Sequence, residues 1–482
     1  MGNAAISGKR WFALALIVLA QFMVVLDIAI VNVALPTIKT DLRFSEENLQ
    51  WVISAYAIFF GGFLLLGGRL ADVFGRRRLF VLGLLLFAGS SLLCGLAWSE
   101  GSLIALRAVQ GLGGALLAPA ALSILSTTFR EGRERNLALG IWGAASGSGG
   151  AAGVLLGGLL TSYLSWSWIF FINVPVGLLV VALAPAFLAE SRSELRRRHF
   201  DVAGAASVTS GLMLLVYALT SATRAGWASA TTIGLLALSV VLLLGFVGIE
   251  LRSAAPLLPL RIFRLRGVSA ANATGLVVAA VGFSQFFLLT LYMQQVLGYS
   301  AVQTGVAFAA ITLTVVVLSN VAQALVTRLG VRAVLTGGLL TTAVAQAWLL
   351  RLPQDGHYFW DLFPAFLLTG VGLASSFVPV AIAGLSGVPA ADAGVASGLI
   401  NASRQIGGAI GLAAVSTIVA GYTARPGAVG EGLADGVDTA FTVLAGLALG
   451  GALIAAAFTR QPPASIEAPP VADTFEPLEE AA

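Results

Sequence analysis

The sequence predicts an all-α polytopic membrane protein with fourteen spanning helices, and three observations carry that prediction. Of its 482 residues, 58% are hydrophobic and only 10% are charged. The apolar residues gather in runs of 18 or more, and about 20 residues suffice to cross a hydrocarbon core of ~30 Å. Arginines fall between the runs in an asymmetric pattern, as topogenic charges do. A soluble chain of this length would divide into several domains with charged surfaces, and this composition excludes that.

Taken in order, the runs are 11–36, 50–70, 78–98, 102–127, 137–160, 167–188, 203–222, 230–250, 269–292, 303–326, 333–351, 361–383, 396–419 and 438–458. The first is too long for a signal-peptide core and lacks a convincing cleavage site, so it is kept as a span. Twelve spans would require two of these runs not to cross, and none is weak enough. An even count puts both termini on one side. Of the 27 lysines and arginines, only Lys39, Arg43, Arg224, Arg351 and Arg425 fall in loops of the other side, and Arg107 and Arg404 fall inside spans. Both termini are therefore expected in the cytoplasm. The Pro-rich, acidic end of the chain reads as disordered.

The remaining composition is mostly exclusion. A net charge of +4 scattered over loops gives no nucleic-acid surface. Lysine occurs only at Lys9 and Lys39 amid abundant Ala, Gly, Leu and Val, which points to a GC-rich bacterial genome. Cys94 is the single cysteine, so no internal disulfide forms. His199 and His357 lie far from it and from each other, leaving no metal or nucleophile constellation. No Gly-x-x-x-x-Gly-Lys-Ser/Thr loop is present, so ATP hydrolysis by that route is excluded. Neither enzymatic activity nor a cofactor is expected.

The most informative segment is the loop Gly68-Arg69-Leu70-Ala71-Asp72-Val73-Phe74-Gly75-Arg76-Arg77-Arg78. Its glycines permit a tight turn between two spans, and Asp72 with Arg76 and Arg77 reads either as a conformational latch or as a plain topogenic loop. A faded copy, Ala324-Leu325-Val326-Thr327-Arg328-Leu329-Gly330-Val331-Arg332, replaces the acid with Thr327. Gly111-Leu112-Gly113 running on to Pro119 likewise returns as Gly370-Val371-Gly372 running on to Pro379. These offsets pair spans 1–6 with spans 9–14, a repeat of the kind transporters use. The organisation expected is residues 1–10 as a cytoplasmic N-terminus and 11–188 as the first six-helix half. Residues 189–268 form a linker with two extra helices, 269–458 the second six-helix half, and 459–482 a disordered cytoplasmic tail.

Candidate functional residues are the polar groups that the spans contain. Asp27, near mid-depth of span 1, is the only acid clearly inside any predicted span. A charge there costs roughly 2.5–3.5 kcal/mol on insertion scales, and burial disfavours the ionised form. It reads as a proton and cation site, or as a structural acid bonded to a neighbouring helix. Arg107 in span 4 needs a partner, and counting from the outer helix ends brings it within reach of Asp27. Gly149, Gly153, Gly157 and Gly158 give span 5 a small-residue face for close packing. Asn32, Tyr56, Gln110, Gln285, Phe286, Asn401, Arg404 and Gln405 could line a solute cavity or hold helices together.

Together these segments resemble the fourteen-span drug:proton antiporter branch (EmrB/QacA type) of the major facilitator superfamily, from Trp11 to Arg460. The resemblance rests on Leu26–Pro36, Trp51–Tyr56, the Gly68–Arg78 loop, Leu103–Ala115 and the Gly-rich span 5. Trp166-Ser167-Trp168-Ile169-Phe170-Phe171-Ile172-Asn173-Val174-Pro175-Val176-Gly177 and Tyr292–Ser300 complete it. It implies two six-helix halves plus two inserted helices, and export of small amphipathic or cationic solutes in exchange for protons. Asp27 and Arg107 match positions linked to coupling. It further implies a monomer in the bilayer of a bacterial cytoplasmic membrane, with the proton gradient as energy source. The alternatives are a dedicated exporter of an endogenous product, such as a self-made antibiotic, peptide or lipid precursor, and a proton-coupled importer. Two departures stand out: Val154 occupies a position where span 5 normally kinks at proline, and Ser167 replaces a frequent arginine. With no acid in span 10, strong selection for dicationic drugs is not implied.

Overall fold

A computed structural model describes residues 2–191, 201–253, 256–350, 352–353, 355–423 and 431–458. The expected disordered tail, 459–482, lies outside them, as do 192–200 and 254–255 of the linker. Helices dominate because a backbone in hydrocarbon must satisfy its own N–H and C=O groups. The first six are α1 (Gly2–Asp41), α2 (Trp51–Phe74), α3 (Arg76–Gly95), α4 (Glu100–Thr128), α5 (Arg133–Tyr163) and α6 (Trp168–Phe187). Next come α7 (Val202–Ala225), α8 (Ala230–Glu250) and α9 (Arg266–Leu291). Ser99 and Glu100 open α4 with a capping box and an acid in the first turn, satisfying N–H groups left over at a helix start.

Among the described residues, thirteen helices are long and apolar enough to cross a membrane. One of them, Ala301–Trp348, runs for 48 residues, about 72 Å at 1.5 Å per residue and more than twice a bilayer core. Gly330 breaks it with φ 82° and ψ 162°, a conformation that glycine alone adopts cheaply. The segment therefore divides into two helices, α10 (301–329) and α11 (331–348), each long enough to cross, so that the described residues hold fourteen helical segments of membrane length. The last three are α12 (Phe363–Leu385), α13 (Ala393–Thr423) and α14 (Glu431–Phe458).

The repeat read from the sequence is visible in the packing. α1 lies on α5 and α6, and α4 on α2 and α3; correspondingly α9 lies on α13 and α14, and α12 on α10 and α11. Gly75 (φ 112°) and Gly330 (φ 82°) bend the chain at equivalent places. Between the halves α2 meets α13 and α5 meets α10. α7 rests on both α2 and α13, with Trp51 stacked on Tyr217 at 5.6 Å and Trp227 Nε1 donating to Thr417 Oγ1 at 2.7 Å. α8 packs on α7, where Ser239 Oγ donates to the Gly211 carbonyl. The inserted pair thus covers one seam between the halves.

The glycines of α5 show why small residues are needed. A Cβ at Gly149 would stand 2.9 Å from Val25 Cβ, one at Gly153 2.7 Å from the Leu26 carbonyl, and one at Gly157 2.9 Å from the Ile30 carbonyl. All three face α1, whereas Gly158 faces Val302 of α10 in the other half. The stripe therefore seats α1 against α5, immediately beside Asp27.

Candidate functional site

Asp27 and Arg107 are brought together as the sequence counting anticipated, and both are almost wholly buried, at 0% and 1% exposure. Asp27 Oδ2 accepts from Arg107 Nη1 at 2.7 Å; Oδ1 accepts from Gln110 Nε2 at 2.8 Å and Asn173 Nδ2 at 2.9 Å. Arg107 also donates through Nε to the Val52 carbonyl (2.9 Å) and through Nη1 to Gln110 Oε1 (2.7 Å). Its guanidinium lies 4.4 Å from the Tyr56 ring centre and 5.7 Å from that of Phe170. Asn173 is fixed in turn by donating to Ser91 Oγ, whose hydroxyl donates to the Phe170 carbonyl. Five helices of the first half thus contribute to one buried ion pair. The neighbours bonded to the pair are neutral, so protonating Asp27 would change the cluster from charge zero to +1.

Neither Asn173 nor Ser91 was singled out from the sequence. Asn173 stands within the Trp166–Gly177 segment, and its position four residues before the small Gly177 was the available signal. Gly177 lets α6 approach α3 at Ala88, which brings Asn173 to Ser91 and Asp27.

The second half builds the same socket without charge. Gln285, one residue before the position that the Gly111–Gly370 offset gives for Asp27, takes its place: its Nε2 donates to Thr369 Oγ1 at 2.6 Å while its Oε1 accepts from Gln346 Nε2 at 2.7 Å. Gly370 approaches the Ile311 backbone as Gly111 approaches that of Tyr56. The equivalent of Arg107 is therefore Phe366, four residues before Gly370, and it is fully buried.

Asp72 and Arg76 form a second charged group where α2 ends. Asp72 is 0% exposed. Its Oδ1 accepts from Arg76 Nη2 at 2.6 Å and from the Gly394 N–H at 3.0 Å, and Oδ2 accepts from the Val395 N–H at 3.1 Å. These amides open α13, so a carboxylate of one half caps the positive end of a helix in the other. Arg76 extends the link to the Ala390 carbonyl and to Ser123 Oγ. Asp392–Arg261 (3.0 Å) and Glu131 Oε1, which accepts from Ser386 Oγ and the Gly387 N–H, lie at the same end. Arg77 serves the first half alone, with its backbone N–H donating to Glu190 and Nη1 to the Leu188 carbonyl. The sequence showed one acid clearly inside a span; the structure also buries Asp72, Glu250 and Asp392, all at helix ends where backbone amides or arginines receive them.

The eight candidate cavity residues are not gathered in one place. Tyr56 and Gln110 belong to the Asp27 cluster, and Gln285 to its neutral counterpart, with Phe286 tilted against Phe308, ring centres 5.0 Å apart. Asn32 is exposed and bonds the Ile28 carbonyl one turn back, as half-buried Asn401 bonds Ser397. Gln405 packs on Gly61 across the α2–α13 seam. Arg404 alone lines a cavity between the halves, beside Trp142, Ser146 and Phe377.

Residues 17–412 match the Major Facilitator Superfamily. The chain is 40% identical to the puromycin resistance protein pur8 of Streptomyces alboniger over 461 residues, covering 93% of this chain and 90% of that one. It is 39% identical to the cephamycin export protein CmcT of Amycolatopsis lactamdurans over 475 residues, 98% of each. Among solved structures it is similar to the human organic anion transporter MFSD10 (TETRAN), with a TM-score of 0.64, 17% identity and coverage of 93% of this chain and 98% of that one. At that identity the likeness concerns the fold.

Proposed function

The chain belongs to the Major Facilitator Superfamily, and on that premise we propose that it is a proton-coupled exporter of small amphipathic compounds. Membership and relatives named for resistance and export make it a transporter rather than an enzyme. The fourteen membrane-length segments support the drug:proton antiporter branch. Exchange proceeds by alternating access, in which the halves separate first at one end and then at the other. The end carrying Asp72 is the cytoplasmic one on the arginine bias, and the Asp72–α13 cap holds it shut in one state only.

The observation that carries the reading is the Asp27–Arg107 pair, enclosed at mid-depth and bonded to neutral groups alone. Ionised, the acid retains Arg107, Gln110 and Asn173; protonated, it loses the ion pair and frees the arginine, which gives proton uptake a structural effect. A dedicated exporter of one antibiotic is the second reading, favoured because relatives are named for puromycin and for cephamycin.

Acid-loaded inverted vesicles provide the test. A panel of lipophilic antibiotics is expected to alkalinise the lumen with the native protein, and Asp27→Asn should lower the initial rate by at least about tenfold, the loss expected for a group that carries the proton itself. An equal response from the variant would remove Asp27 from the proton path.

A further inference from the structure

Arg107 and Arg404 are the two arginines predicted inside spans, and the structure treats them oppositely. Arg107 has an acid, a carbonyl and an amide. Arg404 has no ion pair or hydrogen bond among the described residues; its guanidinium carbon lies 4.3 Å from the Phe377 ring centre. An unpaired guanidinium at membrane depth is costly, so such residues mark the path of a ligand that compensates them.

Its surroundings identify that ligand. The cavity between the halves is walled by Leu122, Trp142 and Ser146 of the first half and by Phe377, Ile400 and Arg404 of the second. No carboxylate is among the walls. Ser146 Oγ accepts from Gln21 Nε2 at 3.3 Å, which leaves its own O–H free to donate into the space. Asp27 is buried within the first half and fully engaged by its three donors. A cation in this cavity would meet Arg404 and nothing that offsets it.

We propose that the transported class is an amphipathic anion. Its carboxylate, or a comparable single negative group, is received by Arg404 and Ser146, and its flat apolar body lies against Trp142 and Phe377. A guanidinium suits this role because it binds a carboxylate through two parallel hydrogen bonds. The assignment rests on the exporter reading but deepens it, naming the charge that the cavity selects. While the halves are joined at the Asp72 end the space is about 10 Å³, room for about one water, so the ligand enters only as they separate.

The test uses the full chain in phosphatidylcholine nanodiscs with three probes that share one flat body: pyrenebutyrate, its methyl ester and pyrenebutylammonium. Binding is followed by energy transfer from tryptophan to pyrene, with empty nanodiscs subtracted. Pyrenebutyrate is expected to bind at least about tenfold more tightly than either other probe, the scale of a charge-assisted hydrogen bond. Arg404→Gln should erase the preference, and Arg404→Lys, which keeps the charge but not the fork, should retain part of it. Both variants are checked for monodisperse elution before use. An ammonium affinity equal to that of the anion, no binding of the anion, or a preference that survives Arg404→Gln would overturn the proposal. Anion-selective binding without export of the same probe from vesicles would defeat the exporter reading and leave the charge selection of this cavity standing. Export without charge preference would do the reverse.

Discussion

Arg107→Ala is expected to be among the most damaging single changes to this protein, at about 3–5 kcal/mol, because it leaves a buried carboxylate without its counter-ion. Asp27 is 0% exposed and has no second cation within its set of partners. The Val52 carbonyl and Gln110 Oε1 lose a donor in the same step. In detergent the apparent melting temperature should fall by roughly 6–10 °C, taking ~2 °C per kcal/mol for large domains. The sharper readout is the second variant. Asp27→Asn added to Arg107→Ala removes the orphaned charge, so it should restore more than half of the loss while leaving proton release abolished. An unchanged melting temperature in Arg107→Ala would mean that water or another group compensates Asp27, and the enclosed ion pair would no longer describe the site.

The second large effect is expected at Gly394, where the halves touch. A Cβ there would press on the Gly68 carbonyl and lie 2.7 Å from Asp72 Oδ2. Both obstacles sit on α2 beside the cap, with little room to withdraw. Overpacking of this kind costs about 1–3 kcal/mol, and the cost falls only on the state in which α2 and α13 are joined. Gly394→Ala should therefore raise the population open at this end by about tenfold or more. Ala396, two residues on and 0% exposed, gives the reporter: Ala396→Cys should react with maleimide slowly alone and about tenfold faster beside Gly394→Ala. The native Cys94 is likewise 0% exposed and adds little background. Equal rates would show that the seam accommodates the methyl group and that the close approach of Gly68 and Gly394 is not what holds the end shut.

The parts of the site that could be read from the sequence are those where a residue broke the chemistry around it. Asp27, Arg107 and Arg404 are charges in apolar runs, and the loop at Asp72 is a dense cluster of glycine and arginine. Each stands out without knowledge of the fold. The repeat was legible for a similar reason, since glycines recur at fixed offsets wherever a backbone must approach another. The neutral groups were not legible. Asn173 and Ser91 look like many other polar residues in spans, and only the packing of α3 on α6 shows that they complete the Asp27 cluster. Gln285 was read as lining a cavity or holding helices together, and it does the second, but its particular partners Gln346 and Thr369 lie far apart in the chain. Even Gly330, correctly placed between two spans, sits inside what is otherwise one unbroken 48-residue helix. Spacing alone sets the loop there, and the positive φ explains how so abrupt a turn is made without a connecting segment.

One property of the Asp27 cluster bears on what powers the cycle. With the acid ionised the pair is electrically silent, and transmembrane voltage does no work when it moves. With the acid protonated Arg107 is left as a single positive charge, on which voltage acts at ~2.3 kcal/mol per 100 mV for a full crossing. Under the proton-coupled reading, the pair itself is then voltage-sensitive only in the loaded half of the cycle, and an inside-negative potential draws that step inward. Protonation would thus add its own voltage-sensitive step to whatever charge the cargo carries, which is how a carrier with a single acid–base pair draws on both components of the proton-motive force.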